Sequence, residues 1–309
     1  MSTSIGAVML VVMMAGATSS RADTGVSAQG SSAGSGAGAE GSLSPEQLKQ
    51  LAKMTQNPVG SIAALPFQSN WNYAAGVTKA TAWNLNIQPA VPIMLSPKAN
   101  LIERAIVPVV NLPALLPGPS CLALGITQQV PCSPQLGIGN IQLQNYYAPK
   151  TNPNAFIYGI GPIFSFPTVT KDLGTQQFGA GVNAVGLVMP GSWVLGMLVT
   201  QRWYVAGPSA APQDTLNTFL AQPFINFNFG RGWALTEAPV ITANWNEPGD
   251  QKWMVPIGLG ITNTNTWLKL PMSYQLAYYG NIVRPQFAPY GIIRFQWAII
   301  WPVKRGIVP

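Results

Sequence analysis

The sequence predicts an all-β protein: a transmembrane antiparallel β-barrel of about twelve strands with a short N-terminal helix. Of its 309 residues, 48% are hydrophobic and only 8% are charged, whereas soluble domains carry roughly 25% charged residues. Beyond the N-terminus, no apolar run approaches the roughly 20 residues that a spanning helix needs. From residue 61 onward, apolar and polar residues alternate with a period of two. A soluble β-sandwich shows the same period, but a membrane protein built from such strands must be a closed barrel, because lipid admits only helices and closed barrels.

The composition also excludes several classes of function. The chain has no histidine, so it lacks a Ser-His or Cys-His nucleophile pair and any His-ligated metal. Its two cysteines cannot form a four-thiolate centre, and a scattered net charge of +7 does not suggest nucleic-acid binding. We therefore expect no catalytic residues, no metal, no cofactor and no nucleic-acid partner. A hydrolase using carboxylates such as Glu237 and Asp250 is the weakest hypothesis.

The N-terminal part of the sequence predicts export and a tether. Residues 1–22 are predicted to be a signal peptide, because an apolar core of signal length precedes small residues. Residues 23–43 are a Ser/Gly-rich linker by composition. Residues 44–56 are predicted to form a short amphipathic helix, with Ser44 as N-cap and Gln47 closing a capping box. The barrel then occupies residues 57–309. The sequence leaves open whether the helix plugs the barrel, lies on the membrane or packs on a partner.

Alternation and turn residues place the individual strands. The predicted strands lie near residues 61–77, 82–94, 100–112, 137–147, 155–166, 177–189, 192–205, 217–229, 233–245, 252–262, 270–282 and 289–301. The connections after even-numbered strands are mostly short, and several after odd-numbered strands are long, which is the rule for outer-membrane barrels and predicts periplasmic termini. Prolines inside strands remove a ladder donor, so bulges are expected at them; they are Pro89, Pro108, Pro162, Pro223 and Pro256.

Two further sets of residues follow from this barrel interpretation. Aromatic residues near strand ends predict a girdle at the membrane interfaces, formed by Trp83, Trp193, Trp203, Trp253, Trp297 and Trp301. Cys121 and Cys132 lie in the longest loop. In an exported protein, the oxidising compartment favours a disulfide between them, whose expected role is to hold an outer loop in one shape.

The predicted inner face is polar and sparsely charged. An arginine facing lipid costs about 2–4 kcal/mol at the midplane, so strand arginines are expected to face inward. The pore-lining candidates are Arg104, Arg202, Arg294, Gln88, Gln222, Asn226, Gln275 and Gln296. The arginines could favour anionic solutes or anchor the N-terminal segment; alternatively they pair structurally with carboxylates or carbonyls. Because Glu103 points opposite to Arg104, one of the two is expected near a strand end or on a bulge.

A set of landmarks along the chain carries a family resemblance. They are Asn57-Pro58-Val59-Gly60, Leu65-Pro66-Phe67-Gln68-Ser69-Asn70-Trp71-Asn72, Asn86-Ile87-Gln88-Pro89-Ala90-Val91-Pro92, Leu101-Ile102-Glu103-Arg104-Ala105-Ile106-Val107-Pro108, Gly159-Ile160-Gly161-Pro162, Phe166-Pro167-Thr168, Gln222-Pro223-Phe224, Trp253-Met254-Val255-Pro256-Ile257 and Tyr290-Gly291-Ile292-Ile293-Arg294-Phe295. Their order and spacing, over roughly residues 55–304, resemble the transporter-like outer-membrane proteins of the MetA pathway of phenol degradation. The resemblance implies an outer-membrane barrel that passes small aromatic or hydrocarbon compounds, without catalytic residues. Two departures are Glu103, where Thr is common, and the tail 302–309 after Trp301.

Two functions from different classes remain. The favoured hypothesis is an outer-membrane channel, or facilitator, for passive passage of small, weakly polar or hydrophobic solutes. The alternative is a structural or interaction barrel whose residues 23–56 dock a periplasmic partner, and association of barrels into a homo-oligomer is also left open. In both cases the protein is expected in the bacterial outer membrane, surrounded by lipid, with both termini periplasmic.

Overall fold

The computed structural model describes residues 44–114, 133–152, 155–170, 173–209, 215–267 and 270–302. The predicted signal peptide (1–22), the linker (23–43) and both Cys121 and Cys132 therefore lie outside the described residues, as does most of the tail after Trp301. None of the helices in the described ranges has the length and apolarity that crossing a membrane requires.

A single helix, α1 (Pro45–Thr55), precedes the strands among the described residues. Its N-terminus has the predicted capping box: Gln47 N donates to Ser44 Oγ at 3.2 Å, and Ser44 N donates to Gln47 Oε1 at 2.8 Å. These two bonds satisfy backbone donors that the first turn of a helix otherwise leaves unpaired. The expectation of a short N-terminal helix is confirmed.

Fifteen β segments follow in the described ranges. In chain order they are β1 (Ile62–Ala75), β2 (Ala80–Ile87), β3 (Ala90–Ser96), β4 (Ala99–Leu112), β5 (Gln135–Ile138), β6 (Gln142–Pro149), β7 (Ile157–Ser165), β8 (Phe178–Val188), β9 (Trp193–Ala206), β10 (Asn217–Gly230), β11 (Trp233–Glu237), β12 (Ile241–Asn244), β13 (Trp253–Trp267), β14 (Leu270–Val283) and β15 (Gly291–Pro302). Every pairing between them is antiparallel.

The fifteen segments of the described chain make a closed barrel of twelve strands. β2 and β3 both pair with β1 and β4, and β11 and β12 both pair with β10 and β13, so each couple is one interrupted strand. β5 and β6 likewise form one strand along β4. β15 pairs with β1 over its whole length and closes the barrel. The predicted fold class and strand number are confirmed.

The two ends of the barrel differ in their connections. The end that carries α1, here called the short-turn end, has two-residue turns at 97–98 and 231–232 and a four-residue turn at 189–192. The opposite end, here called the long-loop end, has connections such as 207–216 and 245–252. This asymmetry is the one that the sequence predicts, and it is typical of outer-membrane barrels.

The strand prolines are accommodated in different ways. Pro89 lies in the interruption between β2 and β3, and Pro256 lies at a register shift in β13. Pro162 and Pro223 instead sit in unshifted ladders with β8 and β9, so the expectation of a bulge at each proline is wrong for these two. Because a proline lacks only its backbone N–H donor, it loses a hydrogen bond to the neighbouring strand on one side only.

Pro162 shows how the missing donor is replaced. The ladder between β6 and β7 has a gap opposite it, which frees the carbonyl of Asn145. Asn183 Nδ2, on β8, donates to that carbonyl at 3.0 Å. A Cβ on Gly161 would collide with the same carbonyl oxygen, so glycine permits this close approach.

The side chains separate into an outer apolar face and an inner face. On β13 and β14 the outward residues Leu259 and Leu276 are 56% and 55% exposed, whereas the inward Thr262 and Thr264 are buried. All ten tryptophans of the sequence fall in the described ranges, on the outer wall or in the turn after β12. A one-residue slip would exchange the two faces, so burial fixes this register.

The predicted girdle residues lie at both ends of the barrel, with one difference. Trp193 and Trp301 lie at the short-turn end, and Trp83, Trp203 and Trp253 lie towards the long-loop end. Trp297 lies near the middle of β15, where it stacks on Phe67 with ring centroids 5.1 Å apart. At the long-loop end, a trio of rings packs together on the outer wall, formed by Phe219, Trp245 and Trp253.

Candidate functional site in the barrel lumen

The N-terminal segment enters the short-turn end of the lumen. Lys53 Nζ donates to the carbonyls of Met189 and Gly191, at 3.1 and 2.8 Å, in the turn between β8 and β9. Burial lowers the pKa of Lys53, with a smaller contribution from Lys49. Residues 44–60, here called the plug segment, thus pack in the barrel, which resolves the three placements that the sequence leaves open.

A reciprocal amide pair holds the C-terminal end of α1 against the barrel wall. Gln56 Nε2 donates to Asn228 Oδ1 at 3.0 Å, and Asn228 Nδ2 donates to Gln56 Oε1 at 3.1 Å. Asn228 also donates to the carbonyl of Ser192. The Lys53 ammonium group and the Gln56 amide group therefore both form hydrogen bonds at the short-turn end, one to a turn and the other near the end of a strand.

Beyond the amide pair, the plug segment is held by apolar packing. Val59, only 5% exposed, belongs to a buried cluster with inward side chains of the barrel, namely Ile102, Tyr146, Ala148, Ile157, Val185, Leu187, Val194, Leu198 and Phe224. The inner face at the short-turn end is therefore apolar on β7, β8 and the start of β9. This differs from the uniformly polar inner face that the sequence predicts, because a protein segment rather than water fills this part of the lumen.

The end of the plug segment and the inner face of the barrel line a cavity of about 240 Å³. Seven of the eight predicted pore-lining residues line it: Arg104, Arg294, Gln88, Gln222, Asn226, Gln275 and Gln296. Arg202 faces inward from β9 nearer the long-loop end and is not part of the cavity lining. Its guanidinium makes no hydrogen bond to another residue in the described ranges. Apolar side chains lie among these polar groups in the lining: Met54, Ile62, Ile102, Leu198 and Phe224.

A chain of hydrogen bonds joins the two arginines of the cavity. Arg104 Nη2 donates to Gln88 Oε1, and Gln88 Nε2 donates to Gln68 Oε1 at 3.0 Å. Gln68 Nε2 donates to Asn70 Oδ1 at 3.2 Å, and Arg294 Nε donates to the same oxygen at 3.0 Å. The amide oxygens at both ends of the chain thus face a guanidinium, which fixes the rotamers of these side chains.

Arg294 also satisfies backbone freed by a strand interruption. Between β11 and β12, the carbonyl of Ala238 accepts from Arg294 Nη1 at 3.1 Å and from Gln222 Nε2 at 3.4 Å. Ala238 N donates to Tyr279 Oη at 3.3 Å, and the Arg294 guanidinium lies 4.8 Å from the Tyr279 ring centroid. Unpaired backbone groups at membrane depth must be satisfied by protein. These lumen side chains meet that requirement.

The positive charge of the cavity has no direct ion-pair partner in the described part of the chain, although Glu237 precedes Ala238, whose carbonyl accepts from Arg294. Within the described ranges, no carboxylate lies within ion-pair distance of Arg104 or Arg294. Glu103 faces the outer wall between Val91 and Asn145, and the register of β4 is unshifted at both positions. Of the two expected positions, a bulge is therefore wrong: Glu103 lies on the outer face of a regular strand, in the half of β4 nearer the short-turn end.

Several residues of the site escape the sequence analysis. Gln68 and Asn70 were detectable in principle, because they alternate with Phe67 and Trp71 and so belong to an inward stripe. Lys53 and Gln56 carry no such signal, since their partners are more than 130 residues away. Neither cavity arginine hydrogen-bonds the plug segment within the described ranges; Lys53 and Gln56 anchor it instead.

The closed wall, the apolar outer face and the even strand number define an outer-membrane β-barrel. No protein-family model and no curated protein sequence matches the chain. Among solved structures, the chain is similar to the COG4313 outer membrane channel from Pseudomonas putida F1, with a TM-score of 0.56 and 14% identity, covering 78% of this chain and 94% of that one. A CymD monoaromatic hydrocarbon channel gives a TM-score of 0.42 at 10% identity, covering 87% and 96%. The first likeness shows that the chain has the fold of a bacterial outer-membrane β-barrel.

Proposed function

We propose that the protein is an outer-membrane channel, or facilitator, for passive passage of small, weakly polar or hydrophobic solutes. The observation that carries the proposal is the lumenal cavity of about 240 Å³, whose lining combines amide groups with apolar side chains. A cavity of roughly 150 Å³ is large enough for benzene, so this one has room for a ring with a polar substituent.

The mixed lining supports weakly polar solutes over sugars. Asn226 and Gln275 present amide groups that can donate and accept, while Leu198 and Phe224 offer apolar contact. Small-molecule sites combine these features, an apolar wall with a few placed polar groups. The narrow lumen also favours solutes smaller than a disaccharide, because side chains fill most of a small barrel.

The fold and the landmark residues together support a narrower assignment. We propose membership of the transporter-like family of the MetA pathway of phenol degradation, with both termini on the periplasmic side and no enzymatic activity. The short turns at the end that carries α1 support the periplasmic termini. The lack of histidine in the sequence supports a protein without hydrolase activity of the Ser-His kind.

The interaction-barrel alternative gains no support from the position of the helix. The C-terminal half of α1 packs in the barrel mouth, with Ala52 buried and Lys53 bonded to turn carbonyls. A helix that docked a separate protein would have to give up these contacts. Residues 23–43, the rest of the predicted docking segment, lie outside the described residues.

Solute uptake by proteoliposomes tests the proposed function. With the full chain reconstituted, glycerol is expected to enter faster than into protein-free vesicles, whereas arabinose and sucrose are expected to be excluded because the cavity is small and its lining is partly apolar. Stopped-flow light scattering measures the swelling rates. Equal rates with and without protein for all three solutes, from barrels shown to be folded by heat-modifiable gel migration, would contradict the proposal.

A further inference from the structure

We infer that the lumenal cavity binds a small organic acid as its carboxylate, with the carboxylate on Arg294 and Arg104 and the apolar body against Leu198 and Phe224. The inference rests on the proposed function in one respect, since it names the solute class. It adds a charged anchor to a cavity that the proposed function describes only as weakly polar. Binding to the purified protein can be measured without any passage across a membrane.

The charge of the cavity is not neutralised by a direct ion pair among the described residues. Arg294 is 4% exposed and Arg104 is partly buried, and in the described part of the chain neither has a carboxylate within ion-pair distance. Burying a charge is costly unless it is paired. Amide oxygens of Gln88, Gln144 and Asn70 supply only partial negative charge. An anion in the cavity would provide the missing counter-charge.

The two guanidinium groups also have hydrogen-bonding capacity that the protein leaves unused. A guanidinium has five N–H donors. Arg294 donates through Nε and Nη1, and Arg104 through Nη1 and Nη2. Arg294 Nη2 and Arg104 Nε donate to no other residue of the described ranges. Charge-assisted bonds from arginine to a carboxylate are among the strongest that proteins form.

The apolar wall of the cavity selects among anions. Met54, Ile62, Ile102, Leu198 and Phe224 line the same cavity as the two arginines. An inorganic anion such as phosphate would leave this wall in contact with water, whereas a ring or short alkyl chain would cover it. A neutral alcohol of the same shape would cover the wall but leave the arginines without a counter-charge. A carboxylate joined to an apolar body satisfies both requirements.

Titration of the full chain in a non-ionic detergent tests the inference. Isothermal titration calorimetry is done with benzoate, with benzyl alcohol as the neutral analogue and with inorganic phosphate as the anion lacking an apolar body. Benzoate is expected to bind at least about tenfold more tightly than benzyl alcohol, a difference that charge-assisted bonds can supply. Phosphate is expected not to displace benzoate at equal concentration.

Three substitutions locate the site. Arg294→Gln and Arg104→Gln are each expected to weaken benzoate binding by about tenfold or more, because each removes a charge-assisted partner. Arg202→Gln is the matched control: it removes an inward arginine outside the cavity lining, so benzoate binding is expected to be unchanged. Arg294→Lys keeps the charge but loses the planar fork, so an intermediate loss is expected.

Several results would overturn the inference. Equal binding of benzoate and benzyl alcohol to the unmodified chain would show that the arginines do not bind the carboxylate. This comparison is valid even if the variants fail to fold. Full displacement of benzoate by phosphate would show that the apolar side chains of the cavity do not select among anions. An equal loss in Arg202→Gln would show that general lumen charge is responsible. Benzoate binding without solute uptake by vesicles would leave the inference standing and contradict the proposed function alone.

Discussion

Deletion of the plug segment, residues 44–60, is expected to raise the single-channel conductance by about tenfold or more, since barrels with an unfilled lumen conduct freely. The segment places the end of α1 and Val59 inside the short-turn mouth, where Val59 is buried among inward side chains. The deletion removes the bonds of Lys53 and Gln56, while every strand of the barrel keeps its neighbours. Planar-bilayer recording of the intact and deleted proteins measures the change.

Two variants control this experiment. Deletion of residues 24–43 alone retains the plug segment and is expected to leave the conductance unchanged. Gln56→Ala removes both bonds to Asn228 while leaving β10 intact, so an intermediate increase with frequent closures is expected. If the 44–60 deletion yields a folded barrel with the conductance of the intact protein, the plug segment does not occlude the pathway.

Charge placed on the outer wall is expected to destabilise the barrel, whereas charge placed one residue away, in the lumen, is not. Leu276 faces outward between Ile261 and Phe295, all three exposed. Leu276→Arg is expected to lower the free energy of unfolding by about 2–4 kcal/mol, the cost of an arginine in the hydrocarbon region. The measurement is urea-induced unfolding in phospholipid vesicles.

The neighbouring position provides the matched control for that substitution. Gln275 lines the cavity, so Gln275→Glu places its charge in the lumen, in the cavity that Arg104 and Arg294 also line. The expected change in the free energy of unfolding is small and can be stabilising, because opposite charges attract strongly where the effective dielectric constant is low. Equal costs for the two substitutions would show that the assignment of inner and outer faces is wrong.

The strand number and the facing of side chains could be predicted from the sequence because they depend on local alternation. Trp83, Asn84 and Leu85 on β2 illustrate this, since the amide between the two apolar residues faces inward. The same alternation placed Arg104 and Arg294 in the lumen. It also places Glu103 on the outer face, without a bulge.

The hydrogen-bond chain of the cavity could not be predicted, because it depends on registers between distant strands. Asn70 and Arg294 lie directly opposite each other only because β15 closes the barrel on β1. Replacement of the Pro162 donor by Asn183 similarly requires knowledge of three adjacent strands. The position of α1 follows from carbonyls of the turn at 189–192, which have no sequence signature. Local chemistry predicted the helix, but its binding site is a tertiary feature.

The apolar face of every strand is expected to meet hydrocarbon while the opposite face encloses the lumen, and all else depends on this division. Quenching of intrinsic tryptophan fluorescence in vesicles of brominated phospholipid tests it directly, because all ten tryptophans lie on the outer wall or in the turn after β12. We expect strong quenching by lipids brominated on the acyl chains and weak quenching by dissolved iodide. Strong iodide quenching without any effect of the brominated lipids would contradict the barrel's membrane-facing wall.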